Sequence, residues 1–167
     1  MKWRILLALV QIAIVAGLAA QAQWHLQQGT RVRLATEPVD PRSLFQGDYV
    51  RLGYPIARTA PGFTPQPGEA VWLTLAPQGD VWTVAAVTRD RPPAPAVAMR
   101  ATFPPMRQDR LILGLETMFV PEGQGLDLER QVPGRVILVE AAIGADGTAR
   151  PAALVVDGQV LYRSGLF

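Results

Sequence analysis

Hydrophobic and polar positions divide the chain into two regimes. Residues 5–20 are apolar apart from Gln11 and show no alternation, whereas from residue 30 onward apolar side chains recur at every second position in short runs. The first pattern suits a helix in lipid, the second strands with one buried face. Residues 30–36 alternate Val32 and Leu34 against Arg31 and Arg33 and predict a first strand. Residues 71–75 and 81–87 predict a hairpin turning at Pro77-Gln78-Gly79-Asp80, with Trp72 and Trp82 as packing tryptophans close together across it. Residues 97–103 and 111–116 predict two strands parted by Pro104-Pro105. Residues 135–143, 149–157 and 159–163 predict a three-stranded meander whose last turn, Asp157-Gly158, is of type I′. The proline- and glycine-rich stretches 59–68 and 91–95 read as loops, and Leu126, Leu128 and Val132 as one short helical turn stopped by Pro133-Gly134. The sum is an all-β fold: a single barrel- or sandwich-like domain of about eight or nine short strands, preceded by one N-terminal transmembrane or signal helix.

The stretch 39–56, VDPRSLFQGDYVRLGYPI, is the densest in local instructions. Pro41 pushes Asp40 into an extended conformation, and Asp40 can accept from backbone N–H groups ahead of it, so residues 40–43 read as a capped turn. Gly47 is free to take a positive φ and Asp48 can bond neighbouring backbone, which suits the corner where a loop enters a strand. Beyond it Asp48, Val50, Leu52 and Tyr54 share one face and Tyr49, Arg51 and Gly53 the other. Burial is expected for Val50, Leu52 and Tyr54.

These residues carry a resemblance. Gly47-Asp48-Tyr49, Leu52 and Tyr54 reproduce the signature of the GDYxxLxY family of membrane-anchored bacterial proteins of unknown function. Asp40-Pro41-Arg42, Phe119-Val120-Pro121-Glu122-Gly123 and Leu128-Glu129 are similar to that family too. The resemblance implies an envelope protein with one anchor that works beside multi-span membrane proteins. A second similarity joins Pro41, Leu44, Gly47, Asp48 and Val50 to the stretch after the nucleophile in type I signal peptidases. Here the nucleophile position is Pro38, and the only lysine is Lys2.

Charge alters the picture less than the formal +2 suggests. Of 16 basic residues Lys2 and Arg4 precede the apolar segment, leaving 14 against 14 acids. The domain is thus neutral overall and carries no nucleic-acid footprint. The same two charges set the orientation of the segment, with the positive end cytoplasmic and the domain on the outer, periplasmic side of the inner membrane. Residues 1–28 read as a signal anchor helix with a polar stem, residues 29–167 as an extracytoplasmic β domain. A retained anchor is the expectation; a cleaved signal peptide is the alternative, because Ala20-Gln21-Ala22 fits the small-x-small cleavage pattern.

Candidate chemistry is narrowed mainly by exclusion. With no cysteine, thiolate catalysis and thiolate metal sites are absent. The single His25 lies on the stem, where it reads as a solvated residue, and the two serines, Ser43 and Ser164, lack any nucleophile motif, so a Ser/His/Asp triad has no histidine to use. No metal, cofactor or catalytic residue is assigned. Asp48, Glu116, Glu122 and Glu129 remain as carboxylates for a hydrolase or carbohydrate-acting enzyme, the alternative reading. The favoured one is a non-catalytic binding or accessory module for a membrane protein partner. Asp48, Tyr49, Arg51, Glu122 and Glu129 are its binding surface, and Asp40, Pro41, Gly47, Leu52 and Tyr54 its structural motif.

Overall fold

In the computed structural model, residues 2–37, 49–58, 63–105, 110–121, 123 and 135–164 are described. Helix α1, Lys2–Gln28, absorbs both the apolar segment and the polar stem and ends at Gly29. Its window Lys2–Gln21 has a mean hydropathy of 2.0 and none of it is buried against the rest of the chain, so it is long and apolar enough to cross a membrane. Twenty residues rise about 30 Å, the thickness of a hydrocarbon core.

Nine strands follow among the described residues. They are β1 Thr30–Ala35, β2 Tyr49–Arg51, β3 Ala70–Gln78, β4 Val81–Thr88, β5 Val97–Thr102, β6 Thr117–Phe119, β7 Ile137–Ile143, β8 Ala149–Val156 and β9 Gln159–Arg163. The protein is all-β beyond its helix. The strands form an antiparallel sheet β1-β7-β8-β9, a second sheet β4-β3-β5, and a two-stranded ribbon β2-β6. Val32 and Leu34 of β1, Val71, Leu73 and Leu75 of β3, Met99 of β5, Met118 of β6, Val139 of β7 and Leu154 of β8 all contribute to one core. The arrangement is thus sandwich-like rather than a closed barrel.

The C-terminal turn has positive φ at both Asp157 (49°) and Gly158 (81°), which is the type I′ geometry expected of Asp-Gly. Three expectations need correction. Trp72 and Trp82 are not neighbours: Trp72 pairs with Thr88 and Trp82 with Pro77, five residues apart along β3. Pro77 lies in the strand rather than the turn. It is tolerated because β5 pairs with β3 only as far as Leu75, so past that point this edge of β3 has no β5 partner to receive an N–H. Finally, residues 111–116 do not form a ladder. Leu111, Leu113 and Leu115 are buried in alternation, but Gly114 turns through a φ of +78° and only Ile112 bridges, to Thr102; the strand is the apolar run that follows, β6.

The two larger sheets meet along β1 and β4 and are hydrogen-bonded to each other at one corner. The β7–β8 turn reaches the β5 edge, where the Arg100 N–H donates to the Gly147 carbonyl at 2.8 Å. Trp72 lies against Gly147, and a Cβ built there would fall 2.2 Å from its ring. The guanidinium of Arg91 sits 5.3 Å from the Trp72 ring centre and donates to the Ala145 carbonyl at 2.5 Å.

Candidate functional site

The signature stretch folds into the short ribbon. β2 pairs with β6 in the register Tyr49 with Phe119, Val50 with Met118 and Arg51 with Thr117. Alternation along both strands sends Met118 into the core and leaves Arg51, Thr117 and Phe119 exposed. Just beyond β2, Leu52 and Tyr54 are almost completely buried, as expected. A 3₁₀ turn, Pro55–Ala57, then ends the extended run.

Burial of Tyr54 works because its hydroxyl has a partner: it donates to the Leu115 carbonyl at 2.9 Å. Burial pushes the phenol well above its ordinary pKa, and the nearby Glu116 charge pushes in the same direction. The Leu52 N–H donates to the Glu116 carbonyl at 2.9 Å, and the Leu111 N–H to the Ala57 carbonyl at 2.6 Å. Glu116 itself accepts the Leu113 N–H on Oε1 at 2.5 Å, closing the turn around Gly114. This carboxylate, a sequence candidate for acid–base work, is occupied as a turn cap.

Between these two segments lies a cleft of about 520 Å³ lined by Arg51, Tyr54, Arg110, Ile112, Glu116 and Thr117, among others. Glu37 closes its neighbourhood. Glu37 bridges to Gly53 through the backbone, accepts Arg58 Nη2 on Oε2 at 2.7 Å, and pairs with Arg110 through its other oxygen. Neither Glu37, Arg58 nor Arg110 stands in a local motif; backbone bridges at Glu37–Gly53 and Arg58–Arg110 bring them together from three places in the chain. Sequence reading therefore had no signal for them.

Outside the cleft the ribbon presents an aromatic pair. The rings of Tyr49 and Phe119 are 6.4 Å apart and tilted by 57°. Phe119 is 73% exposed and Ile112, on the cleft wall, 48%. The structure thus groups Tyr49 and Arg51, both singled out from sequence, with Phe119, Ile112 and Thr117. Asp48, Glu122 and Glu129 lie outside the described residues, as do Asp40, Pro41 and Gly47 and the expected helical turn at 126–132.

A family profile described as GDYXXLXY protein matches residues 11–154, most of the chain and both halves of the ribbon. The chain belongs to that family. No curated protein and no solved structure matches it.

Proposed function

We propose that this family member is a membrane-anchored envelope module that binds a multi-span membrane protein through the outward face of the β2–β6 ribbon, without catalysing a reaction. In this reading α1 stays in the inner membrane, with Lys2 and Arg4 on the cytoplasmic side and the β domain on the periplasmic side. The observation that carries the reading is exposed Phe119 packed against half-buried Tyr49 on the ribbon that also carries exposed Arg51, with Ile112 exposed on the adjoining cleft wall. Aromatic and arginine side chains next to an aliphatic one are the residue types that anchor protein interfaces, and Phe119 loses contact with water only if something covers it. The strand run from Thr30 to Glu37 spans about 23 Å. The Glu37–Gly53 bridge therefore sets the ribbon at the far end of β1 from the anchor. The partner must offer a segment that reaches that level rather than a transmembrane surface.

A photo-reactive residue in place of Phe119, in native membranes, tests this. The expected outcome is one dominant adduct with a multi-span membrane protein, reduced in Tyr49→Ala. Equal labelling from a probe at the exposed Gln159 of β9 would refute it. Alkaline carbonate washing checks the anchor: full-length chain should stay with the membrane, and a soluble form beginning at Gln23 would overturn that part.

A further inference from the structure

On the face of the four-stranded sheet opposite the core, arginines rim the fully buried Ala142 and Ala153. Register across β1, β7, β8 and β9 places Arg31 opposite Ala142 and Ala142 opposite Arg150, forming one row. The next row runs Arg33, Glu140, Ala153 and Arg163. Neighbouring strands are about 4.8 Å apart, so both rows fit within a patch about 15 Å wide. Among the described residues, these two rows place four guanidinium groups on the face that carries Glu140. Glu140 pairs with Arg31 at 3.1 Å and with Arg163 at 3.6 Å, yet its side chain is only 15% exposed while theirs are 37% and 57% exposed. Arg33 and Arg150 are exposed, and among the described residues neither has an ion pair. Among the other described charged residues near these strands, Asp157 pairs with Arg135 and Glu37 with Arg58 and Arg110, while Asp146 of the β7–β8 turn accepts from the Thr148 N–H and hydroxyl. In a domain that is neutral overall, the described residues of this face hold four arginines against Glu140, with Asp146 at the turn near Arg150, a local excess of about two positive charges.

Its position gives the charge a counterpart. α1 ends at Gln28 and β1 begins at Thr30, so Arg31 is three residues from the last helical residue, at most about 10 Å of chain. That is comparable to the Debye length at physiological salt. The apolar window of α1 ends at Gln21, and residues 22–28 add about 10 Å of helix, about 5–7 Å of which the headgroup layer takes up, so the row nearest the helix, Arg31 and Arg150, comes within a Debye length of the headgroups when the domain leans toward the bilayer.

We propose that this arginine face docks on anionic phospholipid headgroups of the anchoring membrane and so fixes the side on which the domain leans, leaving the β2–β6 ribbon for the protein partner. The proposal rests on α1 remaining in the bilayer. It is separate from the ribbon face, which uses neither of these arginine rows.

The chain has no cysteine, so a single Val160→Cys on β9, across from Val155 in the same sheet, can carry a fluorescent donor. Full-length protein is reconstituted into vesicles of phosphatidylcholine alone, or of phosphatidylcholine and phosphatidylglycerol in equal parts, each with a headgroup-labelled acceptor lipid. Energy transfer should be higher in the anionic vesicles and fall to the neutral-vesicle level near 1 M salt, where the Debye length is about 3 Å. The Arg33→Gln/Arg150→Gln variant should lose at least half of the anionic increment. Arg100→Gln, on β5 of the other sheet, should keep it. Transfer that ignores lipid composition, or an equal loss in Arg100→Gln, overturns the docking face while leaving the anchor intact. A chain that alkaline carbonate removes from both vesicle types overturns the anchor, and the docking with it.

Discussion

Gly147→Ala offers a direct test of how the two larger sheets are held together. Gly147 has a φ of +82°, and its added Cβ would meet the Trp72 ring at 2.2, 2.8 and 3.2 Å from three ring carbons. A left-handed residue other than glycine costs about 1–2 kcal/mol. Overpacking a fixed neighbour adds about 1–3 kcal/mol, and Trp72 is poorly placed to retreat because Arg91 lies over it. Restricting the unfolded chain offsets about 0.4–1 kcal/mol. The net loss should be about 2–4 kcal/mol, a large share of the 5–15 kcal/mol typical of a domain. Gly158→Ala is the matched control, since its φ is +81° but nothing lies within 4 Å of the added carbon. It should lose about 1 kcal/mol or less. Urea unfolding of the full-length chain in detergent, followed by tryptophan fluorescence and far-UV circular dichroism, reads both values. The Trp72→Leu background should bring the Gly147→Ala loss down to that of the control. Equal losses in the two alanine variants of the unaltered chain would show that Trp72 does not press on Gly147, and the described corner would be wrong.

Other expectations follow from the signature region. Leu52→Ala should cost about 2–5 kcal/mol in the same urea assay, because the side chain is fully buried, whereas Arg51→Ala, one residue earlier and exposed, should stay within about 0.5 kcal/mol while weakening capture of the partner. If Arg51→Ala melts as early as Leu52→Ala, the outward face is a folding device instead. Tyr54 has a folded-state pKa raised above its unfolded value of about 10, so its contribution is complete below pH 10 and is lost as pH rises further. Unfolding titrations should show stability falling by up to about 1.4 kcal/mol per pH unit above pH 10. Tyr54→Phe should lower stability at neutral pH by about 1 kcal/mol and remove its share of that alkaline slope; an unchanged slope would refute the linkage.

Alternation made much of this fold legible. Burial of Leu52 and Tyr54 was read from spacing alone, and the burial of Leu111, Leu113 and Leu115 follows the same period of two although no ladder forms there. The ladder was misread at 111–116 because backbone direction there depends on a positive φ at Gly114, which side-chain pattern does not encode. The tryptophans were misplaced for a different reason. A tight turn at Gly79-Asp80 fixes Gln78 against Val81, and counting outward from that pair places Trp82 against Pro77 and carries Trp72 to Thr88 past the irregularity at Thr74/Leu75. The site was half legible: Tyr49 and Arg51 follow from the same alternation, while Phe119 is 70 residues from Tyr49 and meets it only through pairing that no local pattern announces.

The junction at Gly29 has a mechanical meaning. β1 is an edge strand bonded along all six of its residues to β7, and only one residue separates it from α1. Antiparallel bonds run perpendicular to the strands, so a pull delivered along β1 loads the six pairs together in shear instead of peeling them one after another. The one residue between them, Gly29, has no Cβ and can turn through a wide range of φ and ψ, so rotation between helix and domain is confined to that single point. Gly29 is therefore the swivel between the helix and a stiff lap joint, and a turn taken up there decides which way the aromatic pair faces.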